Sequence, residues 1–158
     1  IVAWNLLRDA SSPVSSSLTC LQGPDRVAVL SSQQWDPHIM FWQIVPCHRD
    51  YAASNAPLRH VSTARSGAHV AVAGAAGLAL YSAAQRRWRV FGDVDQERNI
   101  RVSGLCWWGD DAVAAVVRSG GGAGPRHQVL LYPRTHLEAK SVLHGPVTLP
   151  LGLLPAFV

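Results

Sequence analysis

The chain has 158 residues, 48% hydrophobic and only 15% charged, with 13 Gly and 10 Pro, a composition that excludes a disordered tail, a collagen-like repeat and a cysteine-rich scaffold. Its formal charge of +4 comes almost wholly from arginine, Lys140 being the single lysine, and the arginines are scattered except at Arg86, Arg87 and Arg89. A nucleic-acid binder carries positive charge in runs or on faces, so the arginine excess is read as coding bias rather than function.

Three cysteines, Cys20, Cys47 and Cys106, are odd in number and far apart. They build neither a disulfide framework nor a Cys-x-x-Cys zinc site, which points to a reducing compartment. No Asn-x-Ser/Thr sequon occurs, in keeping with a cytosolic location. The first residue is Ile1 and the only methionine is Met40, so the expectation is a piece of a longer chain. The most apolar run, Val70 to Tyr81, is broken by Gly74 and Gly77 and falls well short of the roughly 20 residues a membrane-spanning helix needs.

Short stretches rich in Val, Ile, Leu, Trp and Tyr, bounded by Gly, Pro, Asp or Ser, predict strands. In chain order they are Ile1 to Leu7, Arg26 to Ser31, His38 to Val45, Leu58 to Thr63, Ala68 to Gly74, Gly77 to Ser82, Arg86 to Phe91, Arg101 to Trp108, Ala112 to Arg118, Gln128 to Tyr132 and Ser141 to Thr148. No segment has a sustained helical period; a single turn within Thr135 to Leu143 is all the pattern allows. Ser11 to Ser17 has linker composition. Ser119 to Pro125 reads as a flexible hairpin loop, because the Gly-Lys-Ser/Thr of a phosphate-binding loop is missing.

The strands group in fours. Corresponding starts lie 43 residues apart (58 to 101) and 44 residues apart (68 to 112), and four strands in roughly 40 to 45 residues is the unit of a WD40-like blade. The fold class is therefore all-β: a WD40-like β-propeller fragment of about two four-stranded antiparallel blades plus part of a preceding one. A sandwich with similar strand spacing is the competing architecture. The expected division is 1–57 as the end of a preceding blade with the Ser-rich linker, 58–96 as one blade, 97–150 as the next, and 151–158 as a non-matching end. Gly74 to Gly77 is expected to be a tight hairpin turn in which Gly supplies positive φ.

Alternation along a strand assigns faces. Val70 and Val72 share one, Leu78 and Leu80 share one, and Trp88 pairs with Val90, which turns Arg87 and Arg89 the other way. Trp88 is expected in the core. Trp107 and Trp108, being adjacent, must face opposite sides, which predicts a strand buried between two blades. All three tryptophans are read as structural.

No chemistry-bearing motif emerges. Ser66 and Ser103 lack the Gly-x-Ser-x-Gly elbow, and the seven histidines form no His-Glu-x-x-His. No catalytic, cofactor or metal residue is assigned. Arg86, Arg87 and Arg89 around Trp88 form the one electrostatic feature, with a solvated blade edge as the bland reading, a protein-contact patch as the candidate function, and a nucleic-acid surface as the third option.

Taken together, Val70 to Gly74, Gly77 to Ser82, Arg86 to Gly92, Gln96-Glu97 and Gly104 to Trp108 resemble, in order and spacing, the ribosome-control protein family. These are the large WD40-containing subunits of a Golgi Rab guanine-nucleotide exchange factor. The tract Leu21 to Arg26, the segment His38 to Val45 and Pro57-Leu58-Arg59 are similar to the family's approach to that region, so the resemblance spans about residues 20 to 134. It implies a non-enzymatic, non-catalytic propeller piece of an exchange-factor subunit, cytosolic and peripheral on Golgi membrane, acting in endosome-to-Golgi retrograde vesicle traffic. The partners it implies are a smaller exchange-factor subunit and a Golgi Rab GTPase, with no cofactor and no nucleic acid. The alternative is a WD40-type interaction scaffold without exchange activity.

Overall fold

The computed structural model describes residues 5–7, 20–32, 38–121, 124–143 and 147–148. Three four-stranded antiparallel sheets follow one another along the chain. The first holds β1 (Asn5–Leu7), β2 (Cys20–Gln22), β3 (Arg26–Ser32) and β4 (Met40–Pro46). The second holds β5 (His60–Thr63), β6 (His69–Ala73), β7 (Ala79–Ser82) and β8 (Arg87–Arg89). The third holds β9 (Val102–Trp108), β10 (Ala112–Gly121), β11 (Gly124–Pro133) and β12 (Val147–Thr148). Two short helices, α1 (Arg49–Asn55) and α2 (Val94–Asn99), join the sheets.

Each sheet is a simple meander, and contact between sheets runs from β2 to β5 and from β5 to β9. A sandwich would bury one face of each of two sheets. Here the middle sheet is buried on both faces, which is the arrangement of blades in a propeller. On one side Val70, Val72, Ala79 and Tyr81 pack against Cys20, Val27, Val29 and Val45 of the first sheet. On the other, Ala71, Ala73, Leu78 and Leu80 pack against Val102, Leu105, Val113 and Ala115 of the third. This is why β6 reads as an unbroken apolar run: all five of its residues are buried. Fully burying a Val or Leu is worth roughly 1.5 to 3 kcal/mol, so both faces of β6 contribute to the stack.

Several expectations are corrected. The first sheet has four strands because the three-residue β2 pairs with both β1 and β3; it is too short to carry a period. Two helices appear where none was expected. Asp93 caps α2, its carboxylate accepting from Asp95 N at 2.9 Å, while the seven residues of α1 are too few to show an amphipathic repeat. The segment Ser141 to Thr148 is not one strand: a 3₁₀ turn spans Ala139–Ser141, and among the described residues the ladder with β11 is formed by Val147–Thr148. The glycine-rich segment is also largely strand, since β10 and β11 stay paired out to Gly121 and Gly124. The Ser-rich stretch 11–17 lies outside the described residues.

The turn between β6 and β7 needs its glycines for two different reasons. Gly77 has φ +59°, the left-handed region. Gly74 does not; a Cβ there would overlap the backbone carbonyl oxygen of Asn55 at the end of α1.

Candidate functional site

The three tryptophans separate in the structure. Trp88 is half-buried rather than core: its ring lies 5.1 Å from that of Tyr81, and its Nε1 donates to the Pro46 carbonyl of the first sheet at 2.8 Å. Trp107 is half-buried as well, stacked on His69 at 5.7 Å and donating from Nε1 to the Ser62 carbonyl at 3.1 Å. Both tie neighbouring blades together. Trp108 is 71% exposed, so its expected place in the core or between blades is corrected. It does face away from Trp107, but among the described residues no further sheet covers that side.

Around the edge strand β8 lies a groove of about 700 Å³, with walls from the second and third sheets and from the segment after the first. Its side chains include His48 after the first sheet, His69 and Leu80 from the second, and Trp107 and Arg134 from the third. Arg86, Arg87 and Arg89 line it together with Trp88. Among the described residues the lining thus carries four arginines, two histidines and no carboxylate.

The register shows which arginines converge. His69 stands opposite Ser82 and Ser82 opposite Arg87, while Ala71 stands opposite Leu80 and Leu80 opposite Arg89. Residues opposite one another share a face, and the Leu80 face is the one packed toward the third sheet. Arg87 and Arg89 therefore point to the third-sheet side, and Trp88 to the other. Arg86 sits in the preceding turn with φ 50°, an uncommon conformation for a residue with a side chain.

From the third sheet Arg134 reaches the same place, its Nη1 donating to His69 Nε2 at 2.7 Å. A guanidinium can only donate, so this nitrogen of His69 is the acceptor. Burial, and then the charge of Arg134, hold the His69 pKa below the ordinary histidine value. Arg134 also has Asp111 at 3.8 Å. Arg86, Arg87 and Arg89 have no carboxylate partner among the described residues.

His60, half-buried beside Arg59, is also held below the ordinary histidine value, chiefly by desolvation. The unfolded chain takes up these protons near pH 6.5, whereas the folded chain resists them. Stability is then intact above pH 6.5 and declines as the pH falls below it. We expect the thermal midpoint to drop between pH 7.5 and pH 5.5, and the His60→Gln, His69→Gln pair to flatten that slope. An undiminished slope in the pair would assign the loss elsewhere.

Ser66 and Asp110 are close enough to suggest catalysis, but their chemistry is structural. Ser66 donates from both its backbone N (2.9 Å) and its Oγ (2.6 Å) to Asp110 Oδ1. These bonds hold the Asp110 pKa below the usual carboxylate range, which makes it a poor base for the serine. The contact clips the β5–β6 turn to the β9–β10 turn. Burial pushes the Cys20 thiol up to about 12 and Cys47 up to about 11, so neither supplies a thiolate nucleophile. Among the described residues no cluster of His, Cys, Asp or Glu could hold a metal ion.

Comparison with known proteins places this geometry. Residues 23–153 match the model of the RIC1 second beta propeller domain. The chain is 41% identical over 81 residues to the guanine nucleotide exchange factor subunit R06F6.8 of Caenorhabditis elegans, covering 51% of this chain and 5% of that protein. It is 40% identical over 75 residues to guanine nucleotide exchange factor subunit RIC1 of Mus musculus, covering 47% of this chain and 5% of the relative. To the ric1 subunit of Schizosaccharomyces pombe it is 35% identical over 80 residues, or 50% of this chain and 8% of the relative. No solved structure matches. With three consecutive four-stranded meanders and a match over residues 23–153, the chain belongs to the RIC1 second β-propeller family.

Proposed function

We propose that this segment is part of the propeller region of a guanine-nucleotide exchange factor subunit, and that it acts on a Golgi Rab GTPase in endosome-to-Golgi retrograde traffic together with a smaller subunit. The observation that carries the reading is the family match over residues 23–153, joined by relatives whose names are those of exchange-factor subunits. Exchange needs no covalent step. A factor that binds the nucleotide-free GTPase more tightly than the GDP-bound one lowers nucleotide affinity by the matching free energy, so extended packed surfaces such as blades suffice. The assignment to cytosol and peripheral Golgi membrane follows from the same reading.

The test is GDP release from a Golgi Rab in the presence of residues 1–158, of the full-length subunit carrying them, and of that subunit with its smaller partner. Only the last is expected to accelerate release. An isolated row of three blades leaves sheet faces and edges uncovered; Met40, Phe41, Trp42 and Ile44 of β4 already stand exposed. Acceleration by residues 1–158 alone would overturn the dependence on the whole assembly. No acceleration by the full pair would leave a propeller that serves as a scaffold.

A further inference from the structure

We propose that the groove beside β8 is a docking site for an extended acidic peptide segment of a partner protein. The edge strand β8 ends the second sheet, so one side of its backbone is free to pair with an added strand. Arg87 and Arg89 lie two residues apart on the third-sheet side, roughly 6.6 Å along the strand, which is the side-chain repeat of an extended peptide. Acidic residues at alternate positions of such a segment would meet both guanidinium groups, and Arg134 on the opposite wall would face the same side chains. Arginine and carboxylate form paired, charge-assisted hydrogen bonds with defined geometry. Leu80, Phe91 and Trp107 give the groove an apolar floor, which suits the aliphatic part of a peptide.

Charge complementarity favours this occupant. Among the described residues no carboxylate lines the groove, and acids at its margin are engaged, Asp111 beside Arg134, Asp110 on Ser66 and Asp93 on the cap of α2. A nucleic acid would need an aromatic face beside the positive charges on which to stack, whereas Trp88 turns to the face opposite Arg87 and Arg89 and one face of Trp107 is already stacked on His69. A lipid surface is flat and is met by protruding side chains, whereas these arginines flank a recess between sheets. The proposal goes beyond the exchange reading and does not rest on it.

The probe is a fluorescein-labelled peptide alternating Glu with Leu, compared with the same peptide carrying Gln for Glu, with phosphatidylcholine/phosphatidylserine vesicles and with a single-stranded RNA oligonucleotide. The protein is the full chain with its partner subunit, and no GTPase is needed for the readout. The Glu peptide is expected to bind, more weakly as salt is raised. Arg87→Glu with Arg89→Glu should weaken it about tenfold or more, while Arg98→Glu, a single charge reversal on α2, should not. Arg87→Lys with Arg89→Lys should retain part of the binding, and Arg134→Gln should lose several-fold, so the proposal stays testable even if the double glutamate variant does not fold. Equal loss in Arg98→Glu, no binding of the Glu peptide, or preferential binding of vesicles or RNA would each overturn it. So would unchanged binding in Arg87→Glu, Arg89→Glu, which would make these arginines simple guards of an exposed sheet edge.

Discussion

Replacing Asn55 by alanine is expected to destabilise the propeller by about 3 to 5 kcal/mol, among the largest losses open to a single substitution. Asn55 is buried at the end of α1, and three of its groups are used. Its Nδ2 donates to Glu97 Oε1 at 2.6 Å, its Oδ1 accepts from Ala76 N at 3.0 Å, and its backbone carbonyl accepts from Ala75 N at 2.8 Å. The side chain therefore joins α1, the β6–β7 turn and α2, three pieces that share no sheet. Tyr51, one helical turn earlier, completes the joint: its OH donates to the Ala76 carbonyl at 3.1 Å and accepts from Gly74 N at 3.0 Å.

Alanine at 55 removes the partner of a buried carboxylate and orphans a buried amide. Losing a hydrogen bond to a charged group costs about 1.5 to 3 kcal/mol, and an unsatisfied buried group about 1 to 3 kcal/mol more. Glu97→Gln is the contrasting variant, because it keeps an acceptor at Oε1, and should cost about 1 kcal/mol or less. Gly74→Ala should fall between them, at about 1 to 3 kcal/mol, since its methyl group must displace the Asn55 carbonyl. Denaturant midpoints at unchanged slope rank the three. A Glu97→Gln variant less stable than Asn55→Ala would show that the carboxylate does not depend on Asn55.

That joint also marks the boundary of what the sequence made legible. The middle blade was readable because Gly, Ser and Pro punctuate its strands, and because β6, buried on both faces, has the continuous run Val70-Ala71-Val72-Ala73. The repeat of strand starts favoured a propeller over a sandwich. Elements shorter than a period were not readable: β2 has three residues and α1 has seven. Asp93 ahead of Val94-Asp95 was a usable cap signal for α2, yet it is a local cue and says nothing of Glu97 meeting Asn55.

The groove was half legible for the same reason. Arg86, Arg87 and Arg89 stand together in the sequence, but His48, His69, Trp107 and Arg134 are brought to them only by the stacking of three sheets. No local pattern encodes that convergence. The tryptophan pair shows the limit most simply. Alternation fixes that Trp107 and Trp108 face opposite ways, and whether a second layer meets Trp108 depends on what packs on the third sheet.

The second large effect is at Trp88, where alanine should cost about 2 to 4 kcal/mol. A fully buried Trp truncated to Ala loses roughly 3 to 5 kcal/mol, and Trp88 is only half-buried, which lowers the burial share. What remains is the ring pair with Tyr81, worth about 0.5 to 1.5 kcal/mol, and the bond from Nε1 to Pro46, worth about 1 kcal/mol. Trp88→Phe isolates the second of these, since it keeps a ring against Tyr81 and gives up the indole donor; it should cost about 1 kcal/mol. Because β8 alternates, Trp88→Ala leaves Arg87 and Arg89 on the opposite face. Although Trp88 borders the groove, the tryptophan variant should thus lower the unfolding midpoint while folded protein keeps its arginine-dependent binding of the acidic probe, and the arginine variants should do the reverse. Unfolding curves and peptide titrations on the same preparations separate the two. Unchanged stability with lost binding in Trp88→Ala would move Trp88 from the joint between blades into the docking surface itself.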